Sequence, residues 1–283
     1  MRILQWNIQW CRGIDGKVDP ERIARVAREL ADPDVICFQE VASNFPALAG
    51  SSGEDQGHLL AHAFPGYAAH VVSGVDVPAE GLKRRRFGNM LLSRLPVRQV
   101  FRHSLPWPAE ARTPGMPRAA LEAVIETPLG TVRVATTHLE YYSASARAAQ
   151  VERLRELHAE ASRHARVEAS DEYDSGPFQP FPRPAPAIVC GDFNLPPQDA
   201  MHRRMQEPFE DGTTERLLDA WQHAHPGKPH PPTFCLHGKE HGEAPYCCDY
   251  VFVSAALAGR IASVRIDLDT QASDHQPVIV EFR

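Results

Sequence analysis

No stretch of the chain approaches the roughly 20 consecutive apolar residues of a membrane span, so insertion into a bilayer is not expected. Positive charge is also scarce. The 30 lysines and arginines face 36 aspartates and glutamates, and the net charge of −6 argues against a general nucleic-acid clamp while leaving room for a local basic stripe. The six cysteines (Cys11, Cys37, Cys190, Cys235, Cys247, Cys248) include no C-x-x-C pair, so a zinc site is not expected and buried free thiols are the reading. A strand pattern begins at once, over residues 2–7, and leaves no space for the charged, apolar and cleavage regions of a secretory signal; a cytoplasmic location is the expectation. No internal repeat is visible, and no obligate protein partner is evident.

What is present is the balance of an ordinary soluble globule, 43% hydrophobic and 23% charged, with 283 residues that suit one large domain over 1–283. The opening reads β-α-β: a strand ending at Trp6-Asn7, a helix capped by Asp19-Pro20 with Ile23, Val26, Ala27 and Leu30 at helical spacing, then a buried strand over 34–39 that delivers Glu40 to a sheet edge. Strands are expected at 67–73, 89–93, 119–126, 132–138, 187–190, 250–253, 264–266 and 276–282, and helices at 58–63, 144–165, 199–205 and 217–223. Residues 81–88 read as a basic loop, whose cations at 83–86 could steer a polyanion or simply keep an exposed loop soluble. The Pro-rich stretches 105–117, 168–186 and 225–242 read as loops that shape a pocket, with 168–186 an excursion rather than a linker. Hairpin signals after residue 40 favour mixed sheets over parallel ones.

Several of these strands end in a carboxylate, amide or imidazole: Asn7, Glu40, His138, Asp192 with Asn194, Asp249, and Asp274 with His275. In layered α/β folds such ends converge on one edge, where ligands bind. Oxygen donors such as Glu40 and Asp274 suit Mg2+ or Mn2+, which can polarise a phosphoryl oxygen, and an imidazole beside a carboxylate supplies proton transfer or charge stabilisation. Singly, each residue has a plainer reading: Asn7 in a turn, Glu40 as a helix cap, His138 in the core, Gly191-Asp-Phe-Asn194 as an Asx turn. The whole set in order carries the argument.

Trp-Asn-Ile at 6–8, Phe-Gln-Glu at 38–40, Thr-Thr-His-Leu at 136–139, Gly-Asp-Phe-Asn at 191–194, Asp-Tyr-Val-Phe-Val-Ser at 249–254 and Ser-Asp-His-Gln-Pro-Val at 273–278 resemble the ordered motifs of the endonuclease/exonuclease/phosphatase superfamily, the group of exonuclease III, DNase I and sphingomyelinase. Residues 86–97 resemble its internal strand. The resemblance implies a four-layer α-β-β-α sandwich of two mixed sheets flanked by helices, DNase I-like, and a Mg2+- or Mn2+-dependent hydrolase of phosphate esters that forms no covalent enzyme intermediate. It implies Glu40 as chief metal ligand with Asn7 and Asp274 close by, Asp192 orienting or deprotonating the attacking water, and Asn194 holding that group and the phosphate. His275 would contact the scissile phosphate with Asp249 fixing its tautomer, and His138 would touch a phosphate oxygen or assist the leaving group.

One departure is Asn89, on the strand where the DNase-like branch carries a glutamate supporting the histidine matched by His138. Arg147 and Gln150 share a helix face and could reach the phosphate or simply face water. Trp107, Tyr141, Tyr142, Trp221 and Phe234 could stack bases or belong to the core. A phosphodiesterase with nuclease-like activity on DNA or RNA is the first reading, a small-molecule or lipid-headgroup phosphodiesterase or phosphatase the second, and a non-catalytic binding scaffold the rival from another class.

Overall fold

Strand β1 (Arg2–Asn7) is buried along all but its first residue, so it needs layers on both faces. The computed structural model, which describes residues 1–168, 175–238 and 244–283, supplies them. One sheet runs β11 (Ile261–Ile266), β12 (Val278–Phe282), β1, β2 (Val35–Ser43), β4 (Arg84–Ser93), β3 (Ala68–Pro78). The other runs β5 (Val97–Ser104), β6 (Ala119–Thr127), β7 (Gly130–His138), β8 (Ala187–Asp192), β10 (Asp249–Ser254), β9 (Leu217–Asp219). Among the described residues, each sheet contains one parallel pair, β1 with β2 and β7 with β8, and is otherwise antiparallel. A parallel pair requires a crossover, and helices α1 (Pro20–Ala31) and α3 (Ala144–His164) provide the two.

The helices start where the sequence offers caps. Asp19 accepts a hydrogen bond from the Arg22 amide with Pro20 in the first turn, and Ser143 accepts from Ala146. Against the outer face of the first sheet, α1 and α2 (Gln56–Ala63) bury Ile23, Ala27 and Leu60 on Leu4, Trp6, Ile36 and Phe38. Against the second, α3 and α4 (Ala200–Gln206) bury Val151, Leu154 and Met205 on Val189 and Phe252. The layers are therefore α-β-β-α, as expected.

The strand period of two places the site. Ile3, Val35, Val134, Ile188, Val251 and Val253 fill the space between the sheets. Following the same faces along each strand, Ile3 is succeeded by Gln5 and Asn7, Val134 by Thr136 and His138, Ile188 by Cys190 and Asp192, while Val253 and Val251 are preceded by Asp249. Register completes the convergence: Asn7 pairs with Gln39, His138 with Asp192, and Asp192 with Asp249. The inter-sheet space is apolar along most of its length and turns polar at one end.

Three expectations are corrected, and one strand is added: residues 97–104, for which no element was expected, form the edge strand β5, whose half-exposed residues gave no period to read. The helix expected over 217–223 is split, because Leu217–Asp219 pairs with β10 and Asp219 then caps α5 (Ala220–Ala224); a further turn, α6 (Ala255–Ala258), follows β10. The basic run is not a free loop: β4 begins at Arg84, and Arg84 and Arg86 both approach Asp76 on β3, at 2.7 and 3.5 Å. Strand β2 does not stop at residue 39 but runs to Ser43. Of the Pro-rich excursion, residues 169–174 lie outside the described residues, as do 239–243 of the later loop.

Asp219 ties down the loop after α5. One carboxylate oxygen accepts from the Trp221 and Gln222 amides, and the other lies 2.8 Å from both His202 Nε2 and His230 Nε2. Burial alone would raise this carboxyl, but the two histidine hydrogen bonds more than offset it and hold it at about 2. A folded value below the unfolded one means stabilisation complete above pH ~4 and lost as pH falls through about 2, on the order of 2 kcal/mol. Asp219→Asn should therefore unfold at lower urea than wild type at pH 7, with the gap closing by pH 2; an equal gap at both pH values would contradict this.

Candidate active site

Asn7 holds the centre of the polar end. Its Nδ2 donates to Glu40 Oε1 (3.0 Å) and Asp192 Oδ2 (2.9 Å), and its Oδ1 accepts from the Gln9 amide at 3.1 Å. Reversing the amide would aim its oxygen at two carboxylates, so the orientation is fixed chemically. Asn7 thus brackets two acids, and one of its oxygen lone pairs is already engaged.

Glu40 reaches the cleft through a β-bulge. Phe38 pairs with Met90 and Val41 with Gly88, three steps on β2 against two on β4, and Glu40 adopts φ 60 within that irregularity. Expected at a strand end, it lies inside a strand that has been kinked to aim it. Asp192 is placed differently. Gly191 has φ +150, and a Cβ there would lie 1.9 Å from the Thr137 carbonyl oxygen, so only glycine allows β7 and β8 to approach this closely. Asp192 Oδ1 then accepts from the Asn194 amide (2.9 Å), and Asn194, at φ 51, donates through Nδ2 to Leu139 O at 2.9 Å and lies 3.0 Å from His138 Nε2. The Asx turn expected of Gly-Asp-Phe-Asn is present, and it places Asp192 and Asn194 in the cleft.

His275 sits in the loop before β12, tied by Trp6 Nε1 donating to its carbonyl (2.9 Å) and by Ser273, whose hydroxyl donates to Asn7 O at 2.8 Å. Its Nδ1 lies 2.8 Å from Asp249 Oδ2, and its Nε2 lies 3.7 Å from Asp192 Oδ2. Burial alone would lower this imidazole; Asp249 and Asp192 more than offset it and push it up to about 10. His138 goes the other way, held well below the usual histidine range by burial, by Arg118 and by His275. Its Nε2 accepts from Asn194, which puts the remaining proton on Nδ1, 3.9 Å from Glu40 Oε1. Two histidines flanking Asp192, one cationic and one neutral, are the kind of pair that divides acid and base roles.

The acids are strained in the same sense. Burial, then Asp274, raises Glu40 to about 7; burial, then Asp249, raises Asp192 to about 6. Three carboxylates, Glu40, Asp192 and Asp274, line one cleft of about 410 Å³ together with His138, Asn194 and His275. Negative charge crowded beyond what its neighbours compensate, in an oxygen-rich set, fits a hard divalent cation. Asp192, Cys248 and His275 also converge within 4.8 Å, but Cys248 is a buried thiol pushed well up by that burial, and it donates to Asp249 Oδ2 at 3.5 Å behind the histidine. The oxygen donors are the better cation site.

A model of the endonuclease/exonuclease/phosphatase family matches residues 4–275. The chain belongs to that family. An endonuclease/exonuclease/phosphatase from Beutenbergia cavernae DSM 12333 is 27% identical, with TM-score 0.68 over 100% of this chain and 71% of that one. A mannosyl-6-phosphatase from Bacteroides thetaiotaomicron VPI-5482 (16% identity, TM-score 0.66, 100% and 99% covered) and the human nocturnin catalytic domain (18%, 0.64, 100% and 94%) share the fold. No curated protein matches.

Three further candidates are not among the residues lining the cleft. Asn89, in the position where the family's DNase-like branch was expected to carry a supporting glutamate, donates to Ala119 O at 2.8 Å. Arg147 donates to the Glu140 and Tyr141 carbonyls, and Gln150 bridges the Glu140 amide and Pro106 O. They brace the loop between β7 and α3. Of the aromatic candidates, Tyr141, Tyr142 and Phe234 line the cleft, Trp107 lines a neighbouring recess, and Trp221 packs against His225.

Sequence reasoning missed the shell behind the site. Gln5 Nε2 donates to Gln39 Oε1 (2.8 Å) and Asp249 Oδ1 (3.0 Å), and Gln39 Nε2 donates to Thr136 Oγ1 at 2.8 Å, linking both sheets beneath His275. The available signal was an amide on the inward face of an otherwise apolar strand. Arg118, which lines the cleft and pairs with buried Glu140 at 3.3 Å, carried no such mark.

Proposed function

We propose that the chain hydrolyses phosphodiesters with water, using Mg2+ or Mn2+ held by Glu40 and Asp274. The observation that carries the reading is the meeting of Glu40, Asp192 and Asp274 with a cationic and a neutral histidine at one end of one cleft. A bound cation would polarise a phosphoryl oxygen. Asn7 spaces Glu40 from Asp192 and keeps both aimed inward. Asp192, whose raised value improves it as a base, takes the proton from the attacking water as the new P–O bond forms. His275 donates through Nε2 to a phosphate oxygen, offsetting charge as the ester oxygen departs with the bonding pair, and Asp249 holds its ring. Asn194 holds the His138 ring through Nε2, leaving Nδ1 of that ring free to donate to a second phosphate oxygen. Water is the nucleophile in this reading, because Asp192 is engaged by Asn7 and the Asn194 amide, and His275 and His138 by Asp249 and Asn194.

Purified protein should hydrolyse bis(4-nitrophenyl) phosphate with Mn2+ or Mg2+, lose all turnover in EDTA, and recover it on adding excess cation. Turnover unchanged by the chelator would overturn the mechanism. A panel of single-stranded DNA, abasic duplex, RNA, sphingomyelin and inositol phosphates assigns the natural class.

A further inference from the structure

Resting on that reading, we infer that the cleft selects a monomer-sized phosphate ester whose organic group is a flat apolar ring. Beside the phosphate end, the cleft walls are aromatic and come from both sheets. Phe45, in the segment after β2, meets Phe87 of β4 edge to face at 6.4 Å between ring centroids; Tyr141 and Tyr142, just after β7, make a second such pair at 4.9 Å. Phe45, Phe87 and Tyr141 are half-buried and Tyr142 is 62% exposed, so each pair leaves ring surface turned to water. Such surface gains most by covering another ring.

Charge limits the ligand to one phosphate. Among the described residues, the single cationic side chain lining the cleft besides His275 is Arg118, already paired with Glu140; of the basic run, Arg84 and Arg86 share Asp76, and Lys83 and Arg85 line a separate recess rather than this cleft. A polymer with a phosphate at every unit would call for a row of cations, and this lining does not supply one. The volume of about 410 Å³ accommodates a single ring-bearing ester.

Calorimetric titration of the Mg2+-loaded protein with phenyl phosphate and methyl phosphate tests the ring without requiring turnover. Phenyl phosphate should bind about tenfold more tightly, the effect of one ring stacked on aromatic side chains. Tyr142→Ala, at an exposed position, and Phe45→Ala should each shrink that ratio. Equal affinities, or a ratio unchanged in both variants, would overturn the inference even if diesters are hydrolysed. A clear phenyl preference without any hydrolysis would support it and defeat only the catalytic reading. Binding of penta-thymidylate more than tenfold tighter than thymidine monophosphate would show a polymer site and overturn the size restriction.

Discussion

Replacing Glu40 with glutamine should lower turnover by at least about a hundredfold and, in metal-free buffer at pH 8, raise the melting temperature. The two effects share one cause. Burial and the neighbouring Asp274 raise the Glu40 carboxyl to about 7, so its ionised form is less favourable in the folded protein than in the unfolded chain. For an acid shifted upward, the cost is absent below the unfolded value, grows as pH rises, and is complete above the folded one. From 4.5 to about 7 it amounts to about 3 kcal/mol at pH 8. The substituted amide would keep an oxygen for the Asn7 side chain, 3.0 Å away in wild type, while removing the charge. A gain of several degrees should follow for a domain this large. Adding Mn2+ should reverse the order, because only the wild type gains stability by binding the cation well. A variant that melts lower than wild type in EDTA, or one that keeps wild-type rates, would remove Glu40 from the centre of the site.

How much of this was legible in the sequence depends on whether the cause was local. The strands β1, β7, β8 and β10 could be read because each inward face changes from apolar to polar within its own few residues, as in Ile188, Cys190, Asp192. Caps such as Asp19 were legible for the same reason. The aim of Glu40 was not, since its bulge exists only in register with Met90 and Gly88, some 50 residues away on β4. Nor was the bracing by Gln5 and Gln39, whose partners lie on the other sheet. Leu217–Asp219 has the composition of a helix start and becomes a strand because β10 offers it an edge, a tertiary decision that overrides local preference. Glu140 reads as an ordinary surface acid after a motif; buried, it organises Arg118, Tyr141 and Tyr142, three residues of the cleft wall.

His275→Ala should cost about a hundred- to a thousandfold in turnover, the usual loss when one charge-stabilising donor is removed. That change alone cannot separate the charge of the ring from its place, and Asp249→Asn can. An asparagine oxygen can still accept from Nδ1, 2.8 Å away in wild type, so the ring stays oriented while the carboxylate that heads the upward influences on it disappears. With Asp249 present, His275 is held up to about 10 and stays cationic across neutral pH. Without that charge, burial should pull the imidazole down toward or below its ordinary value, so the alkaline limb of the pH–rate profile should move down by at least about one unit. Activity should then be better retained at pH 6 than at pH 9. The folding linkage has the same sign: a raised histidine stabilises the fold fully below its unfolded value and loses that contribution as pH climbs through about 10, so Asp249→Asn should flatten the decline in stability at alkaline pH. If the limb stays in place while the stability curve flattens, His275 acts as a neutral donor and its charge serves the fold alone. If neither changes, the pair of Asp249 and His275 has no electrostatic role in this cleft.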